Sequence, residues 1–152
     1  MVFDQDSKQS AVIDSVLDFD YASGAISYDL ADQILAYIQK LDLDVVWHIE
    51  THVHADHLSA APYLQDKVGG QLMISREITE VQKIFGKVFN AGTEFERDGS
   101  QFDRLLDDND SYQLGHFFGR AIHTPGHTPA CMAHIIGDAV FVGDTLFMPD
   151  GG

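Results

Sequence analysis

A cluster of histidine and aspartate side chains, His52, His54, Asp56 and His57, is the part of this 152-residue chain best suited to chemistry. Neutral imidazole and ionised carboxylate are the natural protein ligands of zinc and iron. Core packing does not explain polar side chains at this density. In an extended loop, residues two apart point the same way, so His52 and His54 can meet one metal ion while the chain turns and brings Asp56 and His57 round. The cluster therefore predicts a metal site.

Two further motifs offer ligands of the same types. His127 follows the Pro-Gly turn at 125–126, and Asp144 follows the apolar run at 139–143. The histidine cluster itself follows residues 45–49, a β-branched and aromatic run that predicts a buried strand. Ligands from three strand ends can meet at one edge of a sheet, which is where open α/β sheets place their sites.

The elements that must position these ligands follow from apolar periodicity and turn residues. Helices are predicted at 28–41, from Ala55 to about 67, and from 78 to 88. Strands are predicted to end at 12–13 and to cover 45–49, 72–74, 111–114, 117–123, 131–136 and 139–142. Residues 14–27 and most of 90–109 are predicted to be loop. Alternating strands and helices followed by a meander indicate an α/β fold, with helices packed on a sheet.

The charge composition of the chain argues against two classes of binding partner. The chain has 24 acidic and 9 basic residues, a formal net charge of −15. Neither a nucleic acid nor an anionic membrane is expected as a partner, because both need clustered Lys and Arg. The single cysteine, Cys131, cannot form an internal disulfide, and no signal-peptide pattern or apolar run of ~20 residues is visible, which fits a cytoplasmic location. The length suits one domain over residues 1–152.

The residues and the order of these motifs resemble those of the metallo-β-lactamase superfamily. Three longer strings, at 50–61, 123–131 and 141–150, are similar to its persulfide dioxygenase branch. The resemblance implies an αββα sandwich that binds one non-haem Fe(II) per chain and oxidises glutathione persulfide with O₂ to sulfite and glutathione. It also implies a small-molecule persulfide as substrate, and a homodimer as the expected assembly, because the family often forms dimers.

The resemblance also assigns roles to individual residues. The iron ligands of the family match His52, His127 and Asp144, which form a facial triad with open positions for substrate and O₂. We count His54 with the metal-binding residues. Asp56 and His57 are then catalytic groups that orient ligands or bound water, or they hold a second metal ion.

The chain departs from the family at its ends. Only eight residues follow Asp144, and the first residues begin after the family's first strand. We therefore expect a single partial domain, truncated at the C-terminus and at the N-terminus. Residues that bind the substrate are expected outside it, and the 152-residue chain alone is expected to be inactive.

Two alternatives to the dioxygenase stay open. The first is a zinc-dependent hydrolase of the glyoxalase II type, which cleaves thioesters. Such an enzyme needs a second metal held by Asp56, His57, a bridging Asp144 and a late histidine, but no histidine follows His134. The second is a truncated, non-catalytic metal-binding domain.

The remaining histidines and the cysteine have structural interpretations. His48 and His134 lie inside apolar strands and are predicted to be structural. His116 is predicted to face solvent, and His123 is a candidate for a supporting contact at the site. Cys131 is predicted to be a small buried apolar residue, because strand cysteines are usually inert.

Overall fold

The computed structural model describes residues 1–54 and 56–148, which form strands and helices in alternation and then a meander. The strands are β1 (Val2–Phe3), β2 (Gln9–Ile13), β3 (Val16–Asp20), β4 (Ala25–Ser27), β5 (Asp44–Ile49), β6 (Leu58–Ser59), β7 (Gln71–Ser75), β8 (Arg104–Leu106), β9 (Ser111–Leu114), β10 (Phe117–His123), β11 (Met132–Ile136) and β12 (Ala139–Phe141). The helices are α1 (Asp29–Leu41), α2 (Ala61–Val68) and α3 (Ile78–Val88), and a short 3₁₀ helix covers Gly143–Thr145.

Two sheets carry most of the structure. The first has the order β1-β2-β5-β7-β8, in which β1 is antiparallel to β2 and the other neighbours are parallel. The second is an antiparallel meander of order β12-β11-β10-β9, and a small third sheet has the order β4-β3-β6. Because β2, β5, β7 and β8 run parallel, their carboxyl ends meet at one edge.

The first sheet is covered on both faces, as parallel sheets require. On one face, Ile49 and Met73 pack against Leu114, Met132 and Ile136 of the second sheet. On the other face, β2 and β5 pack against α1 and α2 in a second apolar cluster. The layers therefore run helix, sheet, sheet. Bulky side chains on the second sheet, Phe118 and Val140, are exposed.

The amphipathic helices agree with the predicted periodicity. Helix α1 buries Ala31 and Ile38 and ends at Asp42, which adopts a left-handed conformation with φ of 54°. Helix α3 begins at the predicted residue, Ile78, and buries Val81. Within residues 1–54 and 56–148, no helix combines the length and apolar character needed to cross a membrane.

The prediction of loop at 14–27 is wrong, because β3 and β4 form a hairpin there. The turn is closed by the Asp20 carboxylate, which accepts a hydrogen bond from the backbone N–H of Ala22. Strand β3 also pairs with β6, which lies about forty residues away along the chain. Strands this short, paired over such a distance, leave little local periodicity to detect.

Two other boundaries also differ from the prediction. The helix expected to start at Ala55 begins at Ala61, because β6 intervenes and Pro62 occupies the first turn, where its fixed φ is favourable; Ala55 itself lies outside the described residues. Strand β8 lies within the predicted loop at 90–109 and adds to the parallel edge of β7. The other predicted strands are confirmed to within one or two residues.

His134 is fully buried between the two sheets, as its structural interpretation predicts. Its Nδ1 atom lies 3.0 Å from the hydroxyl oxygen of Tyr112, and Gly119 leaves the space that the Tyr112 ring fills. Burial lowers the pKa of His134 from 6.5 to about 4, because the interior disfavours the imidazolium. The neutral ring is thus part of the core.

Stability should therefore fall in mild acid. A folded-state pKa below the unfolded value means that the unfolded chain binds the proton more readily, so this contribution is complete above pH 6.5 and is lost as the pH falls towards 4. The total loss is about 3 kcal/mol. Thermal melts of metal-free protein between pH 7.5 and 4 measure it, with His134→Gln as the comparison. If the stability of His134→Gln fell equally steeply as the pH was lowered, the buried ring of His134 would not be the cause.

Candidate metal centre

Three strand ends bring His52, His127 and Asp144 together. His52 lies in the loop after β5, His127 lies in the turn after β10, and Asp144 lies in the 3₁₀ helix after β12. The Nε2 atom of His52 is 3.6 Å from Oδ2 of Asp144, and the Nε2 atom of His127 is 3.4 Å from the same oxygen. One ligand atom from each residue lies within 4.8 Å of the others, a spacing that suits a shared metal ion.

The chemistry of His52 fits a metal ligand. Its side chain is 1% exposed, and its Nε2 atom has no hydrogen-bond partner in the described part of the chain. A buried nitrogen left without a partner costs about 1–3 kcal/mol. Burial also lowers the pKa of His52, which favours the neutral ring that a metal needs. A cation between His52, His127 and Asp144 would satisfy the orphaned nitrogen.

A relay from Asp14 sets the tautomer of His52. The Asp14 carboxylate accepts hydrogen bonds from the backbone N–H and the hydroxyl of Thr51, both at 2.8 Å. Because the Thr51 hydroxyl donates to Asp14, its oxygen accepts from Nδ1–H of His52 at 3.0 Å. The proton of the neutral ring is therefore on Nδ1, and the lone pair is on Nε2, facing Asp144.

His54 is held differently, between two carboxylates. Its Nε2 atom lies 3.4 Å from Oδ1 of Asp14 and 3.4 Å from Oε2 of Glu50. Burial lowers the pKa of His54, but the two carboxylates outweigh this effect and raise the pKa to about 10. Because Nε2 faces these two carboxylates, Nδ1 is the nitrogen of His54 that can face a metal ion.

A second group of ligands lies beside the first. Ligand atoms of His54, Asp56 and His57 are within 4.8 Å of one another. The His54 ring stacks on His57 with centroids 4.1 Å apart and lies 4.0 Å from the His52 ring, so the two groups are adjacent. Asp56 is exposed, and its backbone carbonyl accepts a hydrogen bond from the Tyr21 hydroxyl at 2.8 Å.

The turn that carries His127 is closed by its own hydrogen bonds. The N–H of Thr124 donates to the carbonyl of Cys131 at 2.9 Å, and the N–H of Thr128 donates to the Cys131 sulfur at 3.2 Å. His127 stays 43% exposed, so the centre opens to solvent on this side. Cys131 is 2% exposed, as predicted for a small buried residue.

A cavity of about 300 Å³ lies against the histidine loop. His52, His54 and His57 line it, and Glu50, Ser59 and Gln101 add polar groups. The rest of the lining is mostly apolar: Val53, Leu58, Pro62, Leu72, Ile74 and Phe102. An apolar cavity with a few polar groups is typical of a small-molecule site.

Four residues that contribute to the site are not predicted from the sequence: Asp14, Glu50, Thr51 and Tyr21. Asp14 falls in the predicted loop, yet it directly follows β2, the parallel neighbour of β5. The strand-end argument used for His52 applies equally to Asp14. Tyr21 belongs to the unpredicted hairpin, so its contact with Asp56 had no signal in the sequence.

The other histidines lie outside both ligand groups. His48 is buried, with Nε2 2.8 Å from the carbonyl of Gly69, which confirms its structural interpretation. The His116 side chain is 71% exposed, as predicted, while its Nδ1 contacts the Asp4 carboxylate at 2.6 Å. The Nε2 atom of His123 lies 2.8 Å from the carbonyl of Pro129, within the turn that carries His127.

Gly143 sets how closely Asp144 approaches the histidine loop. Its φ of 50° is in the left-handed region, and a Cβ atom there would collide with the Thr51 side chain. The hydroxyl of Thr145 lies 3.0 Å from that of Thr124, which ties the 3₁₀ helix to the His127 turn. The Gly-Asp-Thr motif therefore packs the carboxylate against the relay that orients His52.

Gly143→Ala should weaken metal binding at least tenfold, because the added methyl group pushes Asp144 away from His52 and a positive φ is strained in alanine. Competition with a chromophoric chelator measures the affinity for Zn²⁺. Gly126→Ala is the matched control, since a Cβ at Gly126 meets nothing within 4 Å. Equal affinities for the two variants would show that this packing does not position Asp144.

Comparison with known proteins places these features in a family. The chain is 55% identical over 162 residues to a probable metallo-hydrolase of Burkholderia pseudomallei, covering 100% of the chain and 55% of that protein. It is 44% identical over 154 residues to Glyoxylase B2 of Dictyostelium discoideum (100% and 53%) and 28% identical over 148 residues to the mitochondrial persulfide dioxygenase ETHE1 of Homo sapiens (95% and 46%). The chain thus spans about half the length of these relatives.

Comparison with solved structures gives the same result for the fold. A crystal structure of ETHE1 from Myxococcus xanthus superposes with a TM-score of 0.70 at 24% identity, over 97% of this chain and 52% of the other, which shows a shared fold. The predicted α/β sandwich is confirmed for the described residues; Pro149 and Asp150, at the end of one motif behind the resemblance, lie outside them. The family model of the metallo-beta-lactamase superfamily matches residues 1–152, and the chain belongs to that superfamily.

Proposed function

We propose that this chain forms the metal-binding part of a zinc-dependent hydrolase of the glyoxalase II type, which cleaves thioesters. The observation that carries the proposal is the presence of two adjacent ligand groups, one of His52, His127 and Asp144 and one of His54, Asp56 and His57. Paired metal sites with ligands this close are typical of hydrolases. The names of two relatives, a probable metallo-hydrolase and Glyoxylase B2, support the same class.

In this proposal the two ligand groups have separate roles. The first group would hold one ion and the second group another. When bound, zinc supplies a Lewis acid that polarises a carbonyl and lowers the pKa of water. The relay from Asp14 through Thr51 keeps the Nε2 lone pair of His52 free for this purpose.

The surroundings suit a small acyl substrate. The exposed side of His127 leaves room for a thioester to reach the centre, and the cavity against the histidine loop offers apolar walls for its acyl group. Apolar walls also exclude bulk water, which strengthens the electrostatic effect of nearby charges. The net charge of −15 would oppose an anionic thiol carrier unless bound cations offset it locally.

A second candidate is the iron persulfide dioxygenase, with one Fe(II) per chain and a persulfide and O₂ as substrates. It is favoured by the two-histidine, one-carboxylate composition of the His52, His127 and Asp144 group, which suits non-haem Fe(II) with open positions. The more distant relative from Homo sapiens bears that activity in its name. In this candidate Asp56 and His57 orient groups around a single ion.

Metal content and enzymatic activity distinguish the zinc hydrolase from the iron persulfide dioxygenase. A protein that contains this chain and spans the whole length of its relatives, purified without added metal and loaded anaerobically with Zn²⁺ or Fe(II), should bind two zinc ions per chain and hydrolyse S-lactoylglutathione, because both ligand groups are formed. It should consume little O₂ with glutathione persulfide. One tightly held iron with rapid O₂ uptake and sulfite release would instead establish the dioxygenase. Metal binding with neither activity would indicate a non-catalytic metal-binding domain.

A pair of substitutions tests the two-ion arrangement directly. Asp56→Ala should lower the zinc content from two ions to one, because Asp56 belongs only to the second group. Asp144→Ala should weaken the first site, because both His52 and His127 face its carboxylate. Asp66→Ala, at an exposed aspartate paired with Lys67, is the control and should keep two ions. Unchanged zinc content in Asp56→Ala would leave the single-ion dioxygenase as the better account.

A further inference from the structure

Glu50 is a buried carboxylate at the start of the histidine loop that no ligand group of the proposed function includes. It directly follows β5 and is 4% exposed, and its backbone N–H donates to the carbonyl of Met73 at 3.0 Å, so its backbone is fixed by the first sheet. Its two carboxylate oxygens point to different partners. Oε1 accepts a hydrogen bond from the Ser59 hydroxyl at 2.5 Å, and Oε2 lies 3.4 Å from Nε2 of His54.

Ser59 connects Glu50 to the far end of the same loop. Its hydroxyl donates to Glu50 while its oxygen accepts the backbone N–H of Ala61, the first residue of α2, at 3.0 Å. The neighbouring N–H of Ala60 donates to the carbonyl of Ser15 at 2.9 Å. The segment from Glu50 to Ser59 carries four of the ligand-type side chains, and the Glu50 carboxylate joins its two ends, in addition to the pairing of β6 with β3.

We propose that Glu50 is a positioning residue that clamps the two ends of the metal-binding loop and fixes the ring of His54 for metal binding through Nδ1. A buried carboxylate oxygen without a hydrogen-bond donor is costly, and neither Oε2 of Glu50 nor the facing Nε2 of His54, 3.4 Å away, has a hydrogen-bond partner among the described residues. A proton on Nε2 of His54, directed at Oε2, would satisfy both atoms. The Nδ1 lone pair then points to the other side of the ring. The role rests on the metal-dependent function proposed above.

Asp14 does not make Glu50 redundant. Both oxygens of Asp14 already accept hydrogen bonds from Thr51, so its contact with His54 is shared with the relay that serves His52. Glu50 alone joins His54 to Ser59 and thus to α2. Losing Glu50 would leave the His54 ring held by Asp14 alone of the two carboxylates and would remove the contact between Glu50 and Ser59, while the orientation of His52 would persist.

The wild-type protein provides the first test. Long-range ¹H–¹⁵N NMR spectra of the zinc-loaded protein report which nitrogen of each histidine carries the proton. We expect His54 to be protonated at Nε2 and metal-bound at Nδ1, with the opposite arrangement at His52, where Thr51 accepts from Nδ1–H. A proton on Nδ1 of His54 would overturn the proposal without any substitution.

Glu50→Gln provides the second test, because it keeps the size of the side chain and removes its charge. Its affinity for Zn²⁺, measured by chelator competition, should fall about tenfold, the usual effect of removing a residue that supports a metal ligand. Ser59→Ala should lower the affinity less, since Oε2 can still face His54. Glu77→Gln, the same change at an exposed glutamate before α3, should leave it unchanged.

These results separate the clamp from the proposed hydrolase. A tenfold loss in Glu50→Gln alone, together with Nε2 protonation of His54, supports the clamp even if no variant cleaves a thioester, and only the hydrolase would then be wrong. Wild-type affinity in Glu50→Gln, or an equal loss in Glu77→Gln, overturns the clamp whatever the activity.

Discussion

The orphaned Nε2 atom of His52 is the constraint around which the site is built. It is buried beneath the second sheet with no hydrogen-bond partner in the described residues, and it faces the Asp144 carboxylate at 3.6 Å. Without a cation, such an arrangement leaves a nitrogen lone pair opposed to a negative charge, which destabilises the fold. The surrounding hydrogen bonds hold His52 in this position and do not give its Nε2 atom a partner. This is expected if a bound metal ion supplies that partner.

Each sheet supplies one half of the site. The parallel first sheet presents Asp14 and the histidine loop at the adjacent ends of β2 and β5. The antiparallel second sheet presents His127 and Asp144 after β10 and β12. The two halves are joined where the backbone N–H of Met132 donates to the carbonyl of Thr51 at 2.8 Å. The apolar core between the sheets thus fixes the separation of the ligands, because close-packed interiors resist small displacements.

The sequence predicts the ligand-type residues and the strands that carry them better than it predicts their orientations. Alternation along an extended loop predicts that His52 and His54 point to one ion, and it does not say which ring nitrogen each would use. In the structure, Nε2 of His54 faces the half-buried carboxylate of Asp14 and the buried carboxylate of Glu50, which attract the proton of that ring. That competition depends on side chains from different strands, so it has no local signature.

Dependence on contacts between distant parts of the chain also explains why the hairpin of β3 and β4 is not predicted from the sequence. Its strands are short, and β3 is held by pairing with β6 far along the chain. In the sequence, Gly126 marks a turn and Gly143 ends the apolar run before Asp144. Only the packing shows that Gly143 is needed for close approach to Thr51, while Gly126 faces open space. Turn residues predict where the chain bends, and tertiary contacts decide which bends matter for the site.

Charge balance gives a reason to favour two ions over one. Four carboxylates belong to or border the ligand groups, those of Asp14, Glu50, Asp56 and Asp144, and they carry four negative charges when ionised. Two divalent ions would balance these charges, whereas a single Fe(II) would balance only half of them. Charge balance therefore fits the two-ion arrangement proposed above better than the single-ion one, while the contacts of His54 with Asp14 and Glu50 are the same in both.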